Sequence, residues 1–197
     1  MGRKEQAAES RRSLVDAARA CFTEQGYDAT TVAAILERAH MARGALYHYF
    51  PGGKSEIFAA VFDVVDGEYH ARRDAMLNLS TAVDRLKGGV DVFLNLCTDD
   101  GFARIVLADA PRIVPGQDEL GSSYKLLREQ LIDGMHTGEL RQLDVEVTTM
   151  ALYGAIRSAG EWVIGSEAPH ASVETAAASI HALLEGLNPR GEPDRRS

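Results

Sequence analysis

Apolar residues in this chain recur at helical spacing and nowhere alternate, strand-like, for more than a few positions. Leu14, Ala17, Ala18, Cys21 and Phe22 stand at i, i+3, i+4, i+7 and i+8, the stripe that one face of an α-helix presents. Gly26 supplies a stop, since glycine is the residue that tolerates the backbone of a helix end. Thr30 or Thr31 then offers an N-capping hydroxyl, and Val32, Ile35, Leu36 and Ala39 repeat the spacing. A turn at His40 and Met41 leads into a third short helix from about Ala42 to Tyr49, which Pro51-Gly52-Gly53 breaks. Period-2 patterning is missing and no internal repeat is found, so the chain is read as all-α with about nine helices.

The pattern continues from Lys54 to about Leu79, then through roughly 81–98, 101–110, 118–137, 144–165 and 171–187. Gly88-Gly89, Asp99-Asp100-Gly101, residues 111–116 and residues 165–169 separate these stretches. The expected division is an N-terminal three-helix domain at 1–53, a helical domain at 54–190, and a disordered tail at 191–197. That tail belongs to a polar segment with two prolines.

Of 197 residues 45% are hydrophobic and 25% charged, the composition of an ordinary globular chain. No apolar run reaches the ~18 residues of a membrane span. The basic N-terminus has no apolar segment behind it, so no signal peptide is expected. Two cysteines, Cys21 and Cys97, fall inside apolar helical stripes and are expected as buried free thiols of a cytoplasmic protein. Six scattered histidines form no HExxH and no zinc spacing with cysteine. GxSxG, P-loop and GxGxxG motifs are missing too. Gly52-Gly53-Lys54 lacks the glycine spacing and the preceding strand of a phosphate loop. No cofactor, no metal and no enzymatic activity are therefore expected.

Net charge is −8, which by itself disfavours a polyanionic partner. The distribution reverses that reading. Residues 1–54 carry eight Lys/Arg against six acids, leaving 13 Lys/Arg and 23 acids for the remainder. A polyanion is attracted to one end and repelled by the other.

Helix, tight turn and helix is the geometry of a helix-turn-helix, whose second helix lies in the major groove. Spacing alone fits any helical hairpin, but the third helix has an unusual composition. Leu46 is its central apolar anchor, with Met41 and Phe50 at its ends, leaving Arg43, Gly44, Ala45, Tyr47 and His48 to face outward. A solvated helix would favour Glu, Lys and Gln there. Gly44 costs about 1 kcal/mol of helix propensity and permits close backbone approach. Arg43, Tyr47 and His48 can bond to phosphates or base edges.

Thr30-Thr31-Val32, Ile35 and the run Gly44-Ala45-Leu46-Tyr47-His48-Tyr49-Phe50, closed by Lys54, resemble the N-terminal domain of TetR-family transcriptional regulators. The resemblance spans about Leu14 to Val61. It implies double-stranded operator DNA as partner, with Thr31 capping the second helix and touching a phosphate. Arg43, Gly44, Ala45, Tyr47 and His48 would form the recognition surface, and Lys54 would contact a flanking phosphate. His40 departs from the family pattern where the turn usually has glycine, Ala42 where a serine or threonine caps the recognition helix, and Ala45 where threonine is common. Gly52-Gly53-Lys54 adds one residue to the usual linker.

A small-residue seam of Ala151, Gly154, Ala155 and Ser158 precedes a broad stripe of Ala176, Ala177, Ile180, Leu183, Leu184 and Leu187. The pattern fits an intrachain core or a homodimer seam. The resemblance implies the latter, a four-helix bundle formed with a second copy. It also implies a cavity for a small-molecule effector among the middle helices. Composition offers Phe93, Cys97, Phe102, Ile105 and Tyr124, and further along Met135, Tyr153, Arg157 and Trp162. Arg157 and Glu161 stand four apart, which an i, i+4 ion pair explains equally. Asp109-Ala110-Pro111-Arg112 reads as a helix end able to hold a polar ligand group. Together these readings give a ligand-responsive DNA-binding repressor working as a homodimer. The competing expectation is an α-helical small-molecule-binding protein with a vestigial helix-turn-helix.

Overall fold

The helical period is realised along the chain. The computed structural model describes residues 2–74, 79, 81–114 and 122–189, and none of these lies in a strand. The first helices are α1 (Arg3–Ala29), α2 (Val32–Arg38), α3 (Arg43–Tyr49), α4 (Lys54–Asp74) and α5 (Ala82–Leu96). Next, α6 (Asp100–Phe102), a π-helical stretch (Ala103–Asp109) and α7 (Ala110–Ile113) follow one another directly. Then come α8 (Ser122–His136), α9 (Val145–Ile164) and α10 (Pro169–Glu185). With 100–113 taken as one helical run, the described residues form nine helical segments. The tail expected at 191–197 and the helical extensions expected at 75–78 and 118–121 lie outside the described residues.

The chain packs as two compact units that differ from the expected split at residue 53. Of the described residues, those within 1–68 and 99–119 form one unit and those within 69–98 and 120–197 the other. The excursion 99–114 joins the N-terminal unit because it fits tightly against α1. Asp99 caps α6, its Oδ1 accepting from the Phe102 N–H at 2.8 Å. Gly101 allows the approach, since a Cβ there would lie 3.0 Å from Thr23 Oγ1. The π-helical stretch leads into Pro111, which lacks an N–H and crowds the preceding turn; a widened helix accommodates such a residue.

The core of the first unit is the predicted stripe. Leu14, Ala18 and Phe22 of α1, Ile35 of α2, Leu46 of α3 and Phe58 of α4 are all fully buried. Burying each large apolar side chain contributes about 1.5–3 kcal/mol. Phe22, Tyr27 and Phe58 form an aromatic cluster with ring centroids 5.0–5.9 Å apart.

In the second unit α10 packs against α5 and α9, and α8 against α5 and α9. A Cβ on Gly160 of α9 would stand 2.7 Å from Phe93 Cε1 and 3.0 Å from Cys97 Sγ. Glycine there lets α5 and α9 approach closely. Ala176, Ile180, Leu184 and Leu187 are buried in the chain's own core. These four side chains are covered within the single chain, where α10 packs against α5 and α9.

Candidate nucleic-acid interface

Two caps shape the helix-turn-helix. Thr31 Oγ1 accepts the Ala34 N–H at 3.1 Å, which satisfies one orphan donor of α2 and leaves the hydroxyl proton free to donate. At the other end of α2, Met41 N–H bonds Leu36 O at 2.9 Å and His40 N–H bonds Glu37 O at 3.1 Å. That pair of bonds is the Schellman motif. His40 sits at its left-handed position with φ 54°, the conformation for which glycine is usual. The turn is thus built normally around a residue that strains it. Ala42, at the N-cap of α3, makes no side-chain cap.

On α3, Leu46 is fully buried and Phe50 nearly so. They anchor the helix, and Arg11 stacks over the Phe50 ring with Cζ 4.9 Å from its centroid. Arg43, Gly44, Tyr47 and His48 are exposed and Ala45 is half-buried, the outward face expected from the sequence. Tyr47 is 53% exposed, with its hydroxyl within reach of a partner on this face. A Cβ on Gly44 would meet nothing within 4 Å, so its lack answers no need of the folded chain. His48 and Tyr49 rings meet edge-on at 4.8 Å. Arg43 makes no ion pair among the described residues, whereas two other N-terminal arginines are engaged. Arg19 forms a two-pronged bond with Glu68, and Arg38 meets Glu24 at 2.8 Å. Each carboxylate raises the pKa of its guanidinium.

Lys54 is placed differently from the other expected contacts. Its Nζ donates to the carbonyls of Tyr27 at 2.9 Å and Thr30 at 3.0 Å, with that of Asp28 at 3.5 Å. In this lengthened linker Gly53 takes φ +69° and so turns the chain into α4.

The segment 109–112 does not present free polar groups to a ligand as expected. Asp109 is buried, and its Oδ2 accepts the Tyr27 N–H at 2.9 Å. Its Oδ1 pairs with Arg112 at 2.8 Å, and Arg112 also pairs with Asp28 at 2.9 Å. Both carboxylates push the Arg112 pKa upward, Asp28 the more strongly. Nothing in the spacing of these residues signals that the partner is residue 27.

The nine effector candidates fall into separate places. Phe102 and Ile105 are buried and belong to the first unit, the other seven to the second. Phe93 and Cys97 face Gly160, and Tyr124 and Tyr153 meet edge-on at 5.4 Å. Met135 is buried in the core and Trp162 is 54% exposed. Arg157 Nε pairs with Glu161 Oε1 at 3.1 Å, the i, i+4 pair. Both cysteines are free and buried; burial raises both thiols, Cys97 to about 12. Among the described residues no group of His, Cys, Asp and Glu is arranged to hold a metal.

One face of α9 is left open. Val147 is 61%, Met150 62% and Trp162 54% exposed, and Ala151, Gly154 and Ser158 between them are exposed too. Ala155 and Ala177 are half-buried, while Leu183 of α10 is 54% exposed.

An anchored short helix that turns arginine, glycine and ring side chains outward behind a capped partner helix defines a helix-turn-helix regulator. Residues 14–61 match the family described as bacterial regulatory proteins, tetR family, and residues 83–187 match the tetracyclin repressor-like C-terminal domain. The chain belongs to the TetR family. It is 28% identical over 193 residues to the "Probable HTH-type transcriptional regulator ArpR" of Pseudomonas putida, covering 93% of this chain and 80% of that protein. It is 33% identical over 90 residues to the HTH-type transcriptional repressor AcnR of Corynebacterium efficiens. That match covers 46% of this chain and spans 42% of the length of that relative. The crystal structure of a TetR-family transcriptional regulator from Pectobacterium atrosepticum aligns with a TM-score of 0.77 at 25% identity, covering 98% of this chain and all of the other.

Proposed function

We propose that this protein is a ligand-responsive transcriptional repressor that binds a palindromic operator as a homodimer and leaves it when a small molecule occupies the C-terminal unit. The observation that carries the reading is α3. Its apolar side chains are buried, and its exposed face is composed for a polyanion with readable edges. Thr31, Arg43, Gly44, Ala45, Tyr47 and His48 are the proposed contacts. The departure at His40 does not argue for a vestigial motif, because the turn keeps both Schellman bonds.

The stripe Val147, Met150, Ala151, Gly154, Ser158 and Trp162 is proposed to meet a second copy of itself. Exposed apolar residues at helical spacing are costly to leave in water, and a two-fold contact is self-complementary. Two copies read two half-sites one helical turn or a multiple apart. The effector acts only by preferring one of two conformations, and α4, which contributes residues to both units, is the proposed connection. The C-terminal match to a tetracyclin repressor-like domain supports a small-molecule site there. A DNA partner implies an intracellular protein, and no helix among the described residues is long and apolar enough to cross a membrane.

Fluorescence anisotropy with the DNA upstream of the protein's own gene, together with sedimentation, tests the proposal. Specific, salt-sensitive binding by a dimer is expected, and Met150→Glu should give a folded monomer with at least tenfold weaker operator affinity. A wild-type monomer, or binding no tighter than to unrelated DNA, contradicts the reading.

A further inference from the structure

Lys54 is the first residue of α4, yet its ammonium is engaged inside the fold. Besides facing the carbonyls of Tyr27, Asp28 and Thr30, Nζ lies 4.2 Å from the centre of the Tyr27 ring. These carbonyls follow Gly26, where α1 departs from helical geometry (φ 76°, ψ 171°). They are the orphan acceptors of a helix end, and a lysine bonding them acts as a C-terminal cap. An ammonium has three N–H bonds. A phosphate contact would require Lys54 to give one of these carbonyls up.

The same elbow, residues 26–30, is held on its amide side from the excursion at 99–114. Asp109 Oδ2 accepts the Tyr27 N–H at 2.9 Å. Arg112 ties Asp109 to Asp28, and Arg104 donates to Glu24 O at 3.2 Å. The Thr30 hydroxyl closes the elbow on itself, bonding Gly26 O at 2.7 Å and Cys21 O at 3.1 Å. Thr31, the α2 cap and a proposed DNA contact, comes next in the chain, and α2 packs against α3. Recognition groups must be held to within about half an ångström, so whatever fixes this elbow fixes Thr31.

We propose that Lys54 and Asp109 are positioning residues that clamp the elbow from its carbonyl and amide sides, and that Lys54 acts without touching DNA. This rests on the DNA-binding reading for its functional consequence. The clamp places one of its two jaws in the 99–114 excursion, so the orientation of α2 depends on residues remote from the helix-turn-helix in sequence.

Two measurements on the full chain, at a temperature where circular dichroism shows every variant folded, test the proposal. In free protein, hydrogen exchange of amides 27–34 should speed up at least tenfold in Lys54→Met and in Asp109→Leu. Asp109→Asn, whose amide oxygen still accepts the Tyr27 N–H while its NH2 group faces Arg112, should fall between wild type and Asp109→Leu. Unchanged exchange in either disruptive variant overturns the clamp, whether or not the protein binds DNA. On operator DNA, Lys54→Met should weaken binding about tenfold while the slope of log affinity against log salt stays the same. A slope lower by about 0.9 for each lost phosphate would make Lys54 a direct contact and overturn its assignment. Asp109→Leu should weaken operator binding similarly, with Asp109→Asn restoring it in part; wild-type affinity in Asp109→Leu overturns the positioning role. Absence of specific binding by the wild type would instead count against the proposed function, leaving the exchange result to decide the clamp.

Discussion

The Asp109 carboxylate accepts the main-chain N–H of Tyr27 at 2.9 Å across 82 residues of sequence. The bond forms because Gly26 takes the chain out of the helix at φ 76° and ψ 171°, which frees the next N–H to turn outward. That region of backbone conformation is accessible to glycine almost alone.

Gly26→Ala should therefore destabilise the protein by about 1–3 kcal/mol. Urea unfolding checks this. The space at Gly26 is not the cause, since a Cβ would meet its nearest neighbours at 3.7 Å. A variant as stable as wild type would show that the elbow relaxes to an ordinary conformation.

The two departures flanking the turn predict gains. His40→Gly removes a left-handed side chain, a strain of about 1–2 kcal/mol. Ala42→Ser supplies the missing cap of α3, worth about 1 kcal/mol. Each should raise the melting temperature by several degrees, measured by circular dichroism; a decrease in either contradicts the assigned geometry.

Gly44→Ala should separate stability from function. The added methyl enters open space in the free protein and improves helix propensity by about 1 kcal/mol. The same methyl lies on the face proposed to approach DNA, so operator affinity should fall at least fivefold while the melting temperature rises. Affinity unchanged or improved would remove Gly44 from the interface.

Cys97 gives the protein an alkaline sensitivity. Burial disfavours its thiolate and lifts the folded-state pKa from 9.0 to about 12. Below pH 9 this preference is without effect on stability, and between pH 9 and 12 the unfolded chain releases a proton that the folded chain retains. Stability should thus fall as pH rises through that window, and less steeply in Cys97→Ala. At pH 8 the native thiol should resist iodoacetamide while the urea-unfolded chain reacts fully. Rapid labelling of native Cys97 contradicts its burial.

The helices and the outward face of α3 were legible because both follow from local rules. Leu46 and Phe50 had to be anchors at their spacing, which left Arg43, Gly44, Ala45, Tyr47 and His48 outward; all are exposed but Ala45, which is half-buried. A cap at Thr30 or Thr31 was legible, since capping is decided within four residues, and it falls to Thr31. What could not be read depends on contacts distant in sequence. Asp109 looked like a helix end with room for a ligand, and only the fold shows that residue 27 occupies its carboxylate. Lys54 matched a family motif, but its carbonyl partners lie 24–27 residues away. The α10 stripe was ambiguous in principle, because apolar period does not say whether the covering surface belongs to the same chain. Ala176, Ile180 and Leu184 proved to be core, and the open face is on α9.

The central claim is that the outward face of α3 reads DNA, and its most direct test is operator affinity of Arg43→Ala and Tyr47→Ala. Both side chains are exposed, so neither substitution should alter folding. The account predicts that each weakens binding to the operator by at least tenfold (about 1.4 kcal/mol), with the homodimer and its melting temperature unchanged. Operator affinity equal to wild type in both variants, with the protein folded and dimeric, would contradict it.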